Sequence, residues 1–198
     1  TANSGKEGNA SDVVYVADYL DVKDVGDIVN LKEIDGVLHM LTANYGEEST
    51  QYKLVNYNLA DASSTETILA TANGGYLSSS FFNEDGSLET IESKEEYDDE
   101  WNLLSREVYM NKYDATGGLL SSEEASAKLK LDEEYYISHF YKDSEGNYLI
   151  GSWEQPLKIY SPDLVQTGEI TSNNPFDGLC MTGSGKLVTS YWGNVGVD

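Results

Sequence analysis

The chain lacks most of what would mark a chemical site. Among 198 residues there are one Cys, two His and three Pro, and only 12 Lys or Arg stand against 35 Asp or Glu. A single Cys excludes an internal disulfide framework. No apolar run approaches the ~18 residues that span a membrane. The formal net charge, 12 − 35 = −23, repels phosphate backbones and anionic lipid, which argues against nucleic-acid and membrane-surface binding. What the chain does have is 22 aromatics, 15 of them Tyr, together with many β-branched residues. That content is too high for a disordered chain, and the length suffices for one substantial core or two small ones.

Residues 1–12 are small and polar and read as a flexible tether. Val13 to Leu20 reads as a first strand. A pattern then recurs around Gly36, Gly86, Gly146 and Gly185, each between two β-prone runs, the signature of a hairpin. Two positions after each glycine stand Leu38, Leu88, Tyr148 and Leu187; five before stand Leu31, Phe81, Tyr141 and Cys180. Equal offsets in a repeat place side chains on equivalent faces, so these eight are the expected core. A second half follows in three units: Leu54 to Asn58, Met110 to Asp114 and Leu157 to Ser161, each ending in Tyr and a turn former, then a further β-prone run.

The unit is therefore four short antiparallel strands, repeated at roughly blade length. The expected fold is all-β, an incomplete β-propeller of about three and a half blades (27–71, 76–124, 135–170 and 176–198) within a domain over 13–198; a β-sandwich of the same hairpins is the alternative. Closed propellers need more blades. The expectation is thus that the protein continues into a further domain, or that the chain pairs through its open sheet edges. Residues 121–130 read as the end of a strand plus a linker in preference to a helix.

No constellation stands out as catalytic. The acidic run 89–100 holds seven carboxylates and reads as a solvated hairpin between the second and third strands of blade two. Asn83 to Gly86 and Asp143 to Asn147 resemble the opening of a calcium loop but lack its distant acidic residue, and fit better as hairpin turns. His39 and His139 fall on different blades and read as single structural histidines. Cys180 reads as a small core residue. Catalytic residues, metal ligands and cofactors are expected to be absent. Trp153 and Trp192 lie seven residues after their unit glycines, where inter-blade filling or a stacking platform for a sugar ring would suit an indole. With Tyr191 and Asn194 beside a permissive Gly193, they are the candidate ligand contacts.

The polar tether followed by VYVADYLDV, the DG and EGN turns, and strand endings such as LVNYN and MNKYDATGG resemble the N-terminal propeller-like region of bacterial extracytoplasmic lipoproteins that carry an ABC-type solute-binding domain. The resemblance implies an extracytoplasmic, cell-surface or secreted location, with a lipid anchor before residue 1 and a solute-binding domain elsewhere in the protein. The expected function is a non-catalytic module that binds a small molecule, such as a carbohydrate, or a protein. A fragment of a carbohydrate-active enzyme and a structural spacer are the alternatives.

Overall fold

The computed structural model describes residues 25–47, 49–71, 73–131, 135–153, 155–171, 178–181, 187–191 and 194–197. The expected tether, the strand at Val13 to Leu20, and Trp192 lie outside these, as do the side chains of Cys180, Leu187, Tyr191 and Asn194. The described chain is all-β with one helical turn. A first antiparallel sheet holds β1 (Asp27–Ile34), β2 (Val37–Tyr45), β3 (Thr50–Asn58) and β4 (Ser64–Ile68) in sequential order. The second holds β5 (Tyr76–Phe82), β6 (Leu88–Tyr97), β7 (Leu103–Tyr113) and β8 (Leu119–Glu124). The third holds β9 (His139–Lys142), β10 (Tyr148–Gly151), β11 (Leu157–Tyr160) and β12 (Gln166–Ile170), and the fourth β13 (Gly178–Met181), β14 (Leu187–Tyr191) and β15 (Asn194–Val197). Between β8 and β9 the chain makes one turn of helix, α1 (Ser126–Leu129), so residues 121–130 are a strand end followed by a helical turn and not a plain linker.

The first strands of successive sheets pack side by side: β1 on β5, β5 on β9, β9 on β13. Their direction follows from cross-sheet contacts. Asn30 bonds the Ser80 carbonyl and Lys32 the Phe82 carbonyl; Ser79 meets the Ser138 carbonyl and Phe81 the Phe140 ring. Partners advance together along both strands, so the inner strands run parallel. This is the arrangement of propeller blades around an axis. It sorts the connections of the first three blades. Turns between first and second strands, and between third and fourth, lie at one end. Loops between second and third strands, and the links between blades, lie at the other, called here the loop end.

Apolar clusters glue adjacent blades. Leu41, Leu54, Leu77, Phe82, Leu88 and Tyr113 join blades one and two. Phe81, Ile91, Met110, Phe140, Tyr148 and Tyr160 join blades two and three. Of the expected core residues, Phe81, Leu88 and Tyr148 are buried, while Leu38 and Tyr141 are half-buried. Leu31 corrects the pattern, being 51% exposed. Its glycine sits in a two-residue turn, Ile34 pairing with Val37, whereas Gly86 lies in a five-residue turn closed by Phe82 and Leu88. Counting back from the glycine is then one residue out, and a one-residue slip moves a side chain to the other face. Leu31 accordingly pairs with Met40, on the side of the sheet away from blade two.

The acidic run is corrected too. Most of it is strand β6, with Glu89 and Glu92 buried and only the tip from Glu96 onward lying in water. Glu92 accepts from the backbone amides of Asn73 and Gly75 and from Asn111 Nδ2, which ties the link between blades one and two to the second sheet. Glu89 Oε1 accepts from Lys142 Nζ at 2.8 Å and Oε2 from the Tyr148 hydroxyl at 2.9 Å, joining blades two and three. Burial pushes the Glu89 carboxyl up, but the bonds from Lys142 and Tyr148 and the nearby Lys112 outweigh it and hold it below the usual carboxylate range.

Candidate functional site

The turns show what asparagine, aspartate and glycine are for in this chain. Asp143 Oδ1 accepts from the amides of Glu145 and Asn147, and its Oδ2 from Asn147 Nδ2. The fourth residue, Gly146, takes φ +86°, a backbone region that costs glycine nothing. The carboxylates that hinted at calcium loops thus cap their own turns; Asp85 does the same for Ser87.

The tip of the β6–β7 hairpin repeats this turn with one change. Asp98 Oδ1 accepts from Glu100 N at 2.9 Å and Asn102 N at 2.8 Å, and Asn102 Nδ2 bonds Asp98 Oδ2 at 2.9 Å. Trp101 N bonds the Asp98 carbonyl at 3.1 Å, as Gly146 N bonds that of Asp143. The place of the glycine is held by Trp101, at φ +65° and 82% exposed. For a bulky L-residue this backbone is strained, and the indole gains no burial in return.

Trp101 is not isolated. Six aromatics are exposed among the described residues: Tyr45, Tyr76, Tyr97, Trp101, Tyr136 and Trp153. Each belongs to the end of a second strand, the start of a first strand, a loop between second and third strands, or a link between blades. All six therefore stand at the loop end. The opposite end exposes aliphatic residues such as Leu59, Leu119 and Val165 but no described aromatic.

On β7, near this end, sits the chain's one arginine. Arg106 Nε donates to Glu95 Oε1 at 2.7 Å, with both side chains about nine-tenths buried. Its Nη1 donates to the Tyr135 carbonyl, and its guanidinium lies 4.5 Å from the centre of the Tyr136 ring. Glu95 Oε2 accepts from the Tyr97 hydroxyl at 2.6 Å. Burial raises the Glu95 carboxyl; Tyr97, Arg106 and Tyr76 more than offset this and lower it. The same bond to Glu95 pushes the Tyr97 hydroxyl up to about 12. A stack of charge and aromatic faces on β6, β7 and the link after α1 is thus fixed in place. Beside it opens a cleft of about 350 Å³, lined chiefly by Leu103, Leu104, Arg106, Val108, Leu129 and Leu131.

The sequence-derived contacts fall as follows. Trp153 lies in the β10–β11 connection at the loop end, 51% exposed, and so is no inter-blade filler. At the same offset Ala43 and Ser93 are buried, because β2 and β6 run on to that point whereas β10 stops at Gly151. Tyr191 closes β14 and Asn194 opens β15, the equivalent connection of the fourth sheet. Arg106, Glu95, Tyr97 and Trp101 were missed. A usable signal existed for Trp101: Asp98-Asp99-Glu100-Trp101-Asn102 shares its Asp, Glu and Asn with Asp143-Ser144-Glu145-Gly146-Asn147 and sets Trp101 where that turn has its glycine. His39 is buried against Phe82 and beneath Gly86, with no hydrogen-bond partner for Nδ1 among the described residues. Those residues hold no cluster of three or more His, Cys, Asp or Glu suited to a metal. No helix among them is long and apolar enough to cross a membrane.

No protein-family model matches the chain, and no curated protein matches it. Among solved structures it is similar to the extracellular domain of a candidate hybrid two-component system of B. thetaiotaomicron, at 11% identity and a TM-score of 0.49, over 87% of this chain and 27% of that one. It is similar also to the extracellular domain of a candidate one-component system of the same organism, at 12% identity and a TM-score of 0.47, over 86% and 27%. A third is a luciferin-regenerating enzyme, at 11% identity and a TM-score of 0.40, over 84% and 69%. The chain spans about a quarter of the length of either extracellular domain.

Proposed function

We propose that this chain is a non-catalytic, extracytoplasmic binding module of propeller type, the N-terminal part of a solute-uptake lipoprotein, and that it takes its ligand at the loop end. The observation that carries the reading is Trp101. A turn position whose left-handed backbone suits glycine carries a tryptophan instead, held out into water by a capped turn. Strain of this kind without burial favours a role in contact, and exposed Trp and Tyr are the residues that anchor interfaces and stack on sugar rings. Tyr97, Tyr136 and Trp153 extend the surface, and the end of β14 at Tyr191 and the start of β15 at Asn194 are the corresponding backbone positions of the fourth sheet. The buried carboxylates Glu89, Glu92 and Glu95 are each engaged by partners of the fold, which supports a binding role over a catalytic one. The extracytoplasmic location rests on the resemblance of the tether and repeat style.

The test is to pass soluble oligosaccharides and short unstructured peptides over the immobilised chain, beside a chain carrying Trp101→Gly and Trp153→Ala. Binding lost in the doubly substituted chain, with an unchanged thermal transition, supports the reading. Binding retained there places the ligand elsewhere on the molecule and overturns it.

A further inference from the structure

Strand β7 is longer than its outer neighbour. β8 pairs with it only from Tyr109, opposite Glu124. One residue earlier the helical turn takes over: Val108 N donates to Ser126 Oγ at 2.8 Å, and the Val108 carbonyl accepts from Ala125 N at 2.8 Å. Both groups of Val108 therefore point to the outer side. Backbone direction alternates along a strand, so the N–H and C=O of Arg106 point the same way. No described strand pairs with them there. Leu104 is the extra residue of a bulge, since Tyr97 pairs with Leu103 and Glu96 with Ser105. The open edge at residues 103–107 borders the cleft of about 350 Å³ with its leucine and valine lining. The exposed charge of the adjoining hairpin tip and of β8 is acidic, Glu96, Asp99, Glu100 and Glu124, while Lys128 and Lys130 flank Leu129 on the helical side of the cleft.

Resting on the loop end as the ligand face, we propose that the partner is an extended, basic segment of another protein, which adds as a short strand to the open edge of β7 and seats an aliphatic side chain in the cleft. Main-chain bonds to Arg106 supply the register, and the cleft supplies the choice of side chain, as in strand addition generally. The net charge of −23 and the acidic hairpin tip favour Lys- or Arg-rich segments over acidic ones. An edge left unpaired, as this one is among the described residues, is what natural sheets otherwise protect.

The probe is acetyl-Lys-Val-Lys-Leu-Lys-Val-amide, titrated against the full chain by calorimetry and hydrogen exchange. Two isomers are compared, each N-methylated at alternate residues along one edge. The expected result is binding by the parent peptide, slowed exchange at the Arg106 amide, and a loss of about tenfold or more for one isomer and not for the other. The Glu-for-Lys peptide should lose at least as much. Leu131→Arg, which fills the cleft, should weaken binding similarly; Leu104→Lys, at an exposed position, serves if Leu131→Arg lowers the thermal transition. Equal binding of both methylated isomers would reduce the interaction to diffuse attraction by an acidic chain and overturn the inference. So would absence of peptide binding. If oligosaccharides then bind and Trp101→Gly removes them, the peptide inference fails while the loop-end reading stands; if no probe depends on Trp101 or Trp153, the loop-end reading fails.

Discussion

Exchanging Trp101 for glycine and for alanine separates backbone strain from side-chain contact. The left-handed backbone costs an L-residue about 1–2 kcal/mol. Glycine escapes that cost but loses about 0.5–1 kcal/mol to the flexibility of the unfolded chain. The indole is 82% exposed, and its one described ring contact, 6.2 Å to Tyr97, is worth about 0.5 kcal/mol at such a site. Trp101→Gly should therefore fall within about 1 kcal/mol of the parent, whereas truncating a buried Trp costs about 3–5 kcal/mol. Trp101→Ala loses the same contact and keeps the strain. Glycine should exceed alanine by about 0.5–1 kcal/mol, which for a chain of this size is a difference of roughly 1–4 °C in the thermal midpoint. Melting curves of the three chains at one concentration and pH make the comparison. An alanine chain as stable as the glycine chain, or more so, would refute the strained tip and with it the reason for assigning Trp101 to ligand contact.

Glu89→Gln should cost about 2–3 kcal/mol, the worth of charged bonds to Lys142 and Tyr148, since Lys142 is partly exposed and can turn to water. The folded carboxyl lies below its ordinary value, so its contribution is present above the usual carboxylate range and lost as pH falls through the folded value; urea titrations of both chains should converge there, and a gap unchanged with pH would count against the ion pair. Gly86→Ala should destabilise more than Gly36→Ala. Both glycines have φ +80°, but a Cβ at Gly86 would stand 2.7 Å from the His39 ring and at Gly36 would meet nothing, so equal losses would show that His39 does not pack there. Replacing residues 98–102 by an Asn-Gly turn should leave stability within about 1 kcal/mol, while also removing Glu95 should cost clearly more, because its bond to Arg106 is lost; equal denaturation midpoints would contradict this. In an alkaline titration followed by tyrosinate absorbance, Tyr113 and Tyr160, pushed up to about 12 chiefly by burial, should ionise late. Their stabilisation is full below pH ~10 and is lost as pH rises toward 12, so ionisation of every Tyr near 10 in the folded chain would contradict their burial.

Much of the architecture is local and so is written in the sequence. Runs of β-branched and aromatic residues split by Asp-x-x-Gly and Asp-Gly turns specify antiparallel hairpins, because the Asp carboxylate closes its own turn and the glycine takes the left-handed backbone within five residues. Hence the all-β, four-stranded unit was legible, and Phe81, Leu88 and Tyr148 followed from it as core. Leu31 did not, since a turn shorter by three residues shifts the face of the strand before it while leaving the glycine repeat intact. Glu89, Glu92 and Glu95 looked like a solvated run because charge in sequence is silent about its partners. Apart from bonds to near neighbours, such as the Tyr97 hydroxyl on Glu95, their counterions and hydrogen bonds come from residues 11–59 positions away, and only the packing of one blade against the next and of strand against strand brings these together. The aromatic end was hidden for the same reason. Tyr45, Tyr97, Trp101, Tyr136 and Trp153 share no motif; they share a face because parallel inner strands stack equivalent loops at one end of the blades.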